Sequence, residues 1–259
     1  MRYDISGTVM QTVSIDLDPG EVLVSQTHAM AWMTDGVTMD THTGGGLLAG
    51  LKRAMTGGSL FITEYSTDRR AEIAFAPRFP GQIMQVVLAA GQSLICRKET
   101  FLVAERSVSL EIAFQQRFGA GLFAGEGFIL QRVTGPGTVF LDLSGEVIEK
   151  TLRPGERLRV HAGHIGMQEP MVTTDIQMIR GFRNMLFGGE GLFLATLTGP
   201  GKVWLQSMPI LNLAEEIARH LPGREASDAS MGAGVGRLVG DGAAGAAIGG
   251  LLGGLLGNE

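Results

Sequence analysis

"GEGLFLATLTGPGKVWLQ" (189–206) repeats "GEGFILQRVTGPGTVFLD" (125–142) with ten identities in eighteen positions, including the whole of TGPG. Such a glycine-rich stretch is either a phosphate cradle or the turn chemistry of a duplicated β unit. Proline presets φ for the first central position of a tight turn, and glycine takes the positive φ that a type II turn needs next. Pro136–Gly137 and Pro200–Gly201 are therefore predicted to join "FILQRV" to "TVFLDL" and "LFLATL" to "KVWLQS". Nearer the N-terminus "TDRRAE" stands in the corresponding place, between apolar runs that survive without the Pro-Gly pair. The stretch reads as a turn.

The duplication extends further. "LDPGEVLV", "LAAGQSLI" and "LRPGERLR" begin at Leu17, Leu88 and Leu152, with their glycines Gly20, Gly91 and Gly155 spaced 71 and 64 apart. Gly57, Gly125 and Gly189 keep the same rhythm, 68 and 64 apart. Two landmarks in register define three units, approximately 1–85, 86–150 and 151–208. The period is longer than that of the common solenoids, so each unit is expected to be a small β module. Inside the units apolar residues alternate: Val108, Leu110, Ile112 and Phe114 in "SVSLEIAF", Leu158 and Val160 in "RLRVHA". Period two makes half-buried strands, while the continuous "GLFLATL" suits a strand covered on both faces. Thirty-nine glycines, far above the usual ~7% share and without collagen-like period, supply the turns. The fold class is all-β.

Two places look helical. "PILNLAEEIARHLPG" predicts a helix over 209–223, capped by Asn212 and stopped by Pro222. The tail, 224–259, carries Gly245, Gly249, Gly253 and Gly257 at every fourth residue, beside Ile248 and four leucines. That small-xxx-small spacing lets helices in lipid approach closely. The uncharged run 242–257 would make a helix of ~24 Å, short of the ~30 Å hydrocarbon core. Shallow membrane contact or tail-mediated assembly is expected rather than a span, with a flexible linker as the alternative.

With 21 basic and 26 acidic residues the formal charge is −5, against the basic surplus that phosphate neutralisation favours in nucleic-acid binders. The patch Lys150, Arg153, Arg157 and Arg159 is interrupted by Glu149 and Glu156 and reads as a solvated face. Cys96 alone cannot form an intrachain disulfide or a cysteine-cluster zinc site. "MRYDISGTVMQTVSIDLD" has no apolar h-region, so a cytoplasmic chain is the expectation.

No stretch carries a catalytic or binding signature. "GGLLAGLK" (45–52) approaches a phosphate loop, but Lys52 is one residue late and Arg53 replaces the magnesium-holding Ser/Thr. "GAGLFA" (119–124) fits a loose dinucleotide pattern but is followed by a strand-like run instead of a helix. His161 and His164, three apart on a strand, are expected on opposite faces with no third ligand nearby. His28 and His42 lie in another unit. Cys96, beside Arg97 and Lys98, reads as packing. No G-x-S-x-G elbow occurs. Met30, Trp32, Met33 and Met39 could line a pocket and are expected to pack in the core.

"HTGGGLLAGLKRAMTGGSLF" (42–61) and "GEGLFLATLTGPGKVWLQS" (189–207) resemble the hallmark segments of the altered inheritance of mitochondria protein 24 family, a likeness running from the N-terminus to about Pro209. The resemblance implies modules like the tryptophan RNA-binding attenuation protein, each a short double-stranded β-helix, three per chain. It further implies a homotrimer closing a ring of nine modules. It carries no catalytic residue, cofactor or metal, and the link of mitochondrial members to inner-membrane organisation is a role without a mechanism. The H-x-H pair of cupin-type metal enzymes does not occur. The expected function is a non-catalytic oligomeric scaffold or interaction protein, cytoplasmic or peripheral to the inner membrane. A ring that binds a small regulatory ligand is the alternative, and a metalloenzyme a remote one.

Overall fold

The computed structural model of the chain describes residues 1–26, 28–42, 62–116, 128–179 and 192–210, together with 212, 213 and 217. The described part is almost entirely strand. The chain first lays down β1 (Arg2–Ser6), β2 (Thr12–Leu17), β3 (Val22–Gln26), β4 (Met30–Met33), β5 (Val37–His42), β6 (Ile62–Thr67) and β7 (Ala71–Phe75). It continues with β8 (Gly81–Leu88), β9 (Ser93–Arg97), β10 (Phe101–Glu105), β11 (Ser109–Gln116), β12 (Phe128–Thr134) and β13 (Gly137–Ser144). β14 (Val147–Leu152), β15 (Arg157–His161), β16 (Ile165–Gln168), β17 (Thr173–Ile179), β18 (Leu192–Thr198) and β19 (Gly201–Gln206) complete it.

Four sheets result, with strand orders β1-β2-β7-β4, β5-β6-β3-β10-β13-β8, β11-β12-β9-β16-β19-β14 and β15-β18-β17. Three apolar clusters fill the spaces between them. One gathers Ile15, Tyr65, Phe75 and Phe140, a second Cys96, Phe101, Val133 and Leu141, and a third Phe128, Ile165, Phe193 and Leu197. Strand β13 turns Phe140 into the first cluster and its neighbours Val139 and Leu141 into the second. A sheet lying between two cores is covered on both faces, which is why "FLVA" and "VFL" carry no polar alternation. Burying one such phenylalanine contributes about 1.5–3 kcal/mol. Where only one face is covered the alternation returns: Val108 and Leu110 are buried between the exposed Ser107, Ser109 and Glu111.

The TGPG stretches turn the chain, but not into a hairpin. β12 pairs with β11 and β9, whereas β13 pairs with β10 and β8 in another sheet. β18 and β19 are separated in the same way, as are β6 and β7 across residues 68–70. Each turn is a corner that carries the chain from one sheet to the next. Gly137 and Gly201 have φ of 137°, far from the about +80° that a type II turn needs at this position, so the geometry is not type II. The corner docks on the other sequence landmark: Gly135 N–H donates to Gln92 O (3.0 Å) and Gly199 N–H to Glu156 O (3.0 Å). A Cβ at Gly135 would stand 2.5 Å from Leu88 O, and one at Gly199 2.5 Å from Arg153 O. The two repeated motifs recur together because they touch.

Of the expected helix over 209–223, Ile210, Asn212, Leu213 and Ile217 have helical backbone. Pro209 O accepts from Asn212 N–H (3.0 Å) and Leu213 N–H (3.4 Å). The helix therefore starts at Pro209, and Asn212 sits inside the first turn instead of capping it. The tail 224–259 lies outside the described residues. Among the described residues no helix is long and apolar enough to cross a membrane.

Candidate functional site: two open sheet edges

Every sheet has edges, but β4 and β15 differ from the rest. Strand β10 pairs with β13 on one side and β3 on the other, and β16 likewise with β19 and β9. β4 has the same inner partner relationship, to β7, with the register shift that β10 and β16 also show: between Met30 and Trp32, Phe101 and Val103, Ile165 and Met167. Among the described residues no strand pairs with its other side. β15 mirrors this, pairing with β18 as β3 pairs with β6 and β9 with β12, and having no second partner among the described residues. Such an edge exposes a row of unpaired N–H and C=O groups to another strand.

The side chains follow the same logic. On the paired strands Val103 (0% exposed) faces Ser25 and Met167 (1%) faces Cys96. On β4 Trp32 is 47% and Met33 38% exposed. The expectation that Met30, Trp32, Met33 and Met39 pack in the core is therefore corrected for three of the four: Met30 is half-buried against the first cluster, whereas Trp32, Met33 and Met39 are exposed on the edge strands β4 and β5. Trp32 Nε1–H donates to Glu72 Oε1 (3.2 Å) on the neighbouring strand β7, and the exposed Asp35 follows the strand. Opposite chemistry lies on β15, where Arg157 and Arg159 are exposed on either side of Leu158. Lys150 and Arg153 are also exposed, as a solvated face requires, and Glu149 takes Lys202 Nζ at 2.7 Å.

Polar side chains also span the inner junctions. Gln26 Nε2–H donates to Lys98 O (2.9 Å) where β3 meets β10, and an Arg97 guanidinium N–H donates to Gly163 O (3.3 Å) where β9 meets β16. Arg106 lies 3.3 Å from the Glu64 carboxylate at the first of these junctions.

His161 and His164 do not face apart. A 3₁₀ turn, Ala162–His164, follows β15 and swings the second ring back onto the first, with centroids 5.8 Å apart and planes at 72°. His164 Nδ1 lies 2.8 Å from Gln206 O. A carbonyl only accepts, so Nδ1 carries the proton and Nε2 the lone pair of the neutral ring. Burial, then His164 and Arg97, hold the His161 imidazole below the ordinary histidine range. His28 is exposed in the turn between β3 and β4. His42 ends β5. Within the single chain no group of three His, Cys, Asp or Glu among the described residues could hold a metal.

Cys96 is fully buried and receives the Gln131 amide at 3.6 Å. Burial pushes its thiol up to about 11, outweighing the hydrogen bonds with Thr100 and Gln131 that favour the thiolate. A thiol held protonated is a poor nucleophile. Asp142, hidden in the sequence by its place in "FLDLS", is pushed up to about 7, mainly by burial. One open groove, lined by Gly36, Thr38, Ser66, Thr67, Asp68 and Arg69, is polar and lacks the apolar walls of a small-molecule pocket. "GGLLAGLK" (45–52), "GAGLFA" (119–124) and nearly all of the segment 42–61 lie outside the described residues.

A family model described as mitochondrial biogenesis AIM24 matches residues 3–208. An uncharacterized protein of Streptococcus pyogenes serotype M6 is 30% identical over 231 residues, covering 86% of this chain and 92% of the relative. The crystal structure of a Streptococcus pyogenes protein superposes with a TM-score of 0.69 at 26% identity, covering 85% of this chain and 99% of that one.

Proposed function

The chain belongs to the mitochondrial biogenesis AIM24 family, and we propose that it is a non-catalytic interaction protein that works as a closed homotrimeric ring. In this reading the chain is three copies of one six-stranded module resembling the tryptophan RNA-binding attenuation protein. The strand orders β2-β7-β4, β8-β13-β10 and β14-β19-β16 match one another, as do β5-β6-β3, β11-β12-β9 and β17-β18-β15. Each module joins the next by its second strand meeting the third strand of the next module: β3 with β10, β9 with β16. That rule leaves β15 and β4 as the unmatched ends, and β15 of one copy with β4 of the next continues it. A heterologous contact of this kind closes into a ring or runs on as a filament, and closure removes both sticky edges.

The observation that carries this reading is the exposure of Trp32 and Met33, whose counterparts Val103, Met167, Ala104 and Gln168 are buried at 0–2%. Charge complements it, since Arg157 and Arg159 on β15 would meet β4, which has Asp35 just past its end and Glu72 on the neighbouring β7. Light scattering of the full chain is expected to give three times the 27.4 kDa chain mass. A monomer at micromolar concentration would overturn the ring. The net charge of −5 speaks against nucleic acid as the partner. A peripheral membrane role through the tail 224–259 is part of the same proposal. Flotation with anionic liposomes, compared with a chain ending at Ser230, tests it: loss of flotation on truncation supports membrane contact, and equal recovery of both chains in the soluble fraction rejects it.

A further inference from the structure

The open end of β15 ends in a pair of histidines, and the ring brings a third. Counted from the turn glycines Gly20, Gly91 and Gly155, His161 occupies the place of Gln26 and Arg97. Both of those side chains leave their own strand and cross an inner junction, Gln26 to Lys98 and Arg97 to Gly163. On the same count Lys98 and Gly163, whose carbonyls accept these bonds, take the places of residues 27 and 28 in the first unit. Where β15 meets β4 of the neighbouring copy, His161 is thus placed beside that copy's exposed His28.

We propose that His161 and His164 of one chain, with His28 of the next, form a binding site for a divalent transition metal of the zinc class, repeated at each junction between subunits. The proposal rests on the ring reading above, because the site is incomplete in one chain.

The local geometry suits a metal. Zinc binds histidine nitrogen at about 2.0–2.1 Å in tetrahedral arrangement, which places two ligand rings about 5 Å apart, centroid to centroid. The His161–His164 separation is 5.8 Å with the planes at 72°. His164 is oriented as metal-bound histidines are, one ring nitrogen held by a carbonyl and the other free. Gln206, whose carbonyl does this, is itself fixed: its amide Nε2–H donates to Gly163 O at 2.9 Å. Gly163 leaves room for the His161 ring, since a Cβ there would stand 3.3 Å from His161 Nδ1. Arg97 is the cation beside the site, and Glu99 lies against its Nε at 3.1 Å, offsetting its charge. Three imidazoles leave the fourth position of a tetrahedral ion to water.

The test measures zinc and mass on the same samples. The full chain is loaded with zinc, dialysed and assayed by elemental analysis alongside light scattering. The variants are His28→Ala, His161→Ala and His164→Ala. The wild type is expected to hold about one zinc per chain as a trimer, and each variant to bind at least about tenfold more weakly while still assembling. Cobalt substituted for zinc should give the visible absorption of a tetrahedral nitrogen site. Co-expressing the His28→Ala and His161→Ala chains should restore part of the zinc, because one mixed junction regains all three ligands. A trimer without stoichiometric zinc, or full zinc retained by His28→Ala, overturns the metal site and leaves the ring intact. A monomer with or without zinc overturns both.

Discussion

Val103 on β10 stands directly opposite Ser25 on β3, and neither is exposed at all. The corresponding place on β4 belongs to Trp32, almost half exposed, and that opposite it on β15 to Val160. The contact made twice within the chain has no third instance among the described residues.

Met33 corresponds to Ala104 and Gln168, both buried, and would face Arg159 of the next copy. Met33→Gln should keep the assembly, because Gln168 already fills this place at an inner junction. Met33→Lys should weaken it, since like charges directly opposite across a strand pair cost about 0.2–1 kcal/mol each before any burial penalty. Sedimentation at several concentrations checks the pair. Equal assembly of both variants would rule out this register.

Gly201 has φ of 137° and lies beneath Val172, whose Cγ2 a Cβ would approach to 2.9 Å. Gly201→Ala should cost on the order of 1 kcal/mol or more. A type II turn would let asparagine rescue the position through the left-handed region near φ of about 57°, but 137° lies outside it. Gly201→Asn is therefore expected to be no better than alanine in denaturant midpoint. A near-wild-type asparagine variant would bring back the type II turn.

Asp142 keeps its proton to about pH 7 in the folded chain, against 3.8 for the ordinary side chain. Between those values the folded state binds more protons than the unfolded, so stability falls as pH rises from about 4 to 7 and levels off above. Asp142→Asn removes that loss. Because the residue is half-buried, the gain at pH 8 should be about 1–2 kcal/mol, below what the full shift would give. At pH 4 the gain should vanish. Urea midpoints at the two pH values measure it, and a pH-independent effect would show that the carboxyl is ordinary.

Much of this was legible in the residues, for physical reasons. Alternation in "SVSLEIAF" and its absence in "GLFLATL" report directly whether one or both faces of a strand are covered. TGPG says that the chain must turn there, but strand pairing is non-local, and nothing in those four residues states that β13 joins a different sheet from β12. Trp32, Met33 and Met39 read as core because composition alone does not tell an exposed apolar edge strand from a buried one. Strand periodicity sets His161 and His164 on opposite faces, and the intervening 3₁₀ turn defeats it; the small residues Ala162 and Gly163 are the available hint. Asp142 could not be found without knowing what lies above it.

The ring itself is tested most directly by a covalent link across its closing junction. Trp32 and the next copy's Val160 would be opposite residues of an antiparallel pair, with Cα atoms about 4.5–5.5 Å apart, within the range a disulfide spans. The double variant Trp32→Cys with Val160→Cys, oxidised under native conditions, should run on a non-reducing gel as a closed species of three chains, while each single variant stays unlinked. Native Cys96 is buried and should stay out of the reaction. A double variant that remains a single unlinked chain after oxidation would contradict the pairing of β15 with β4.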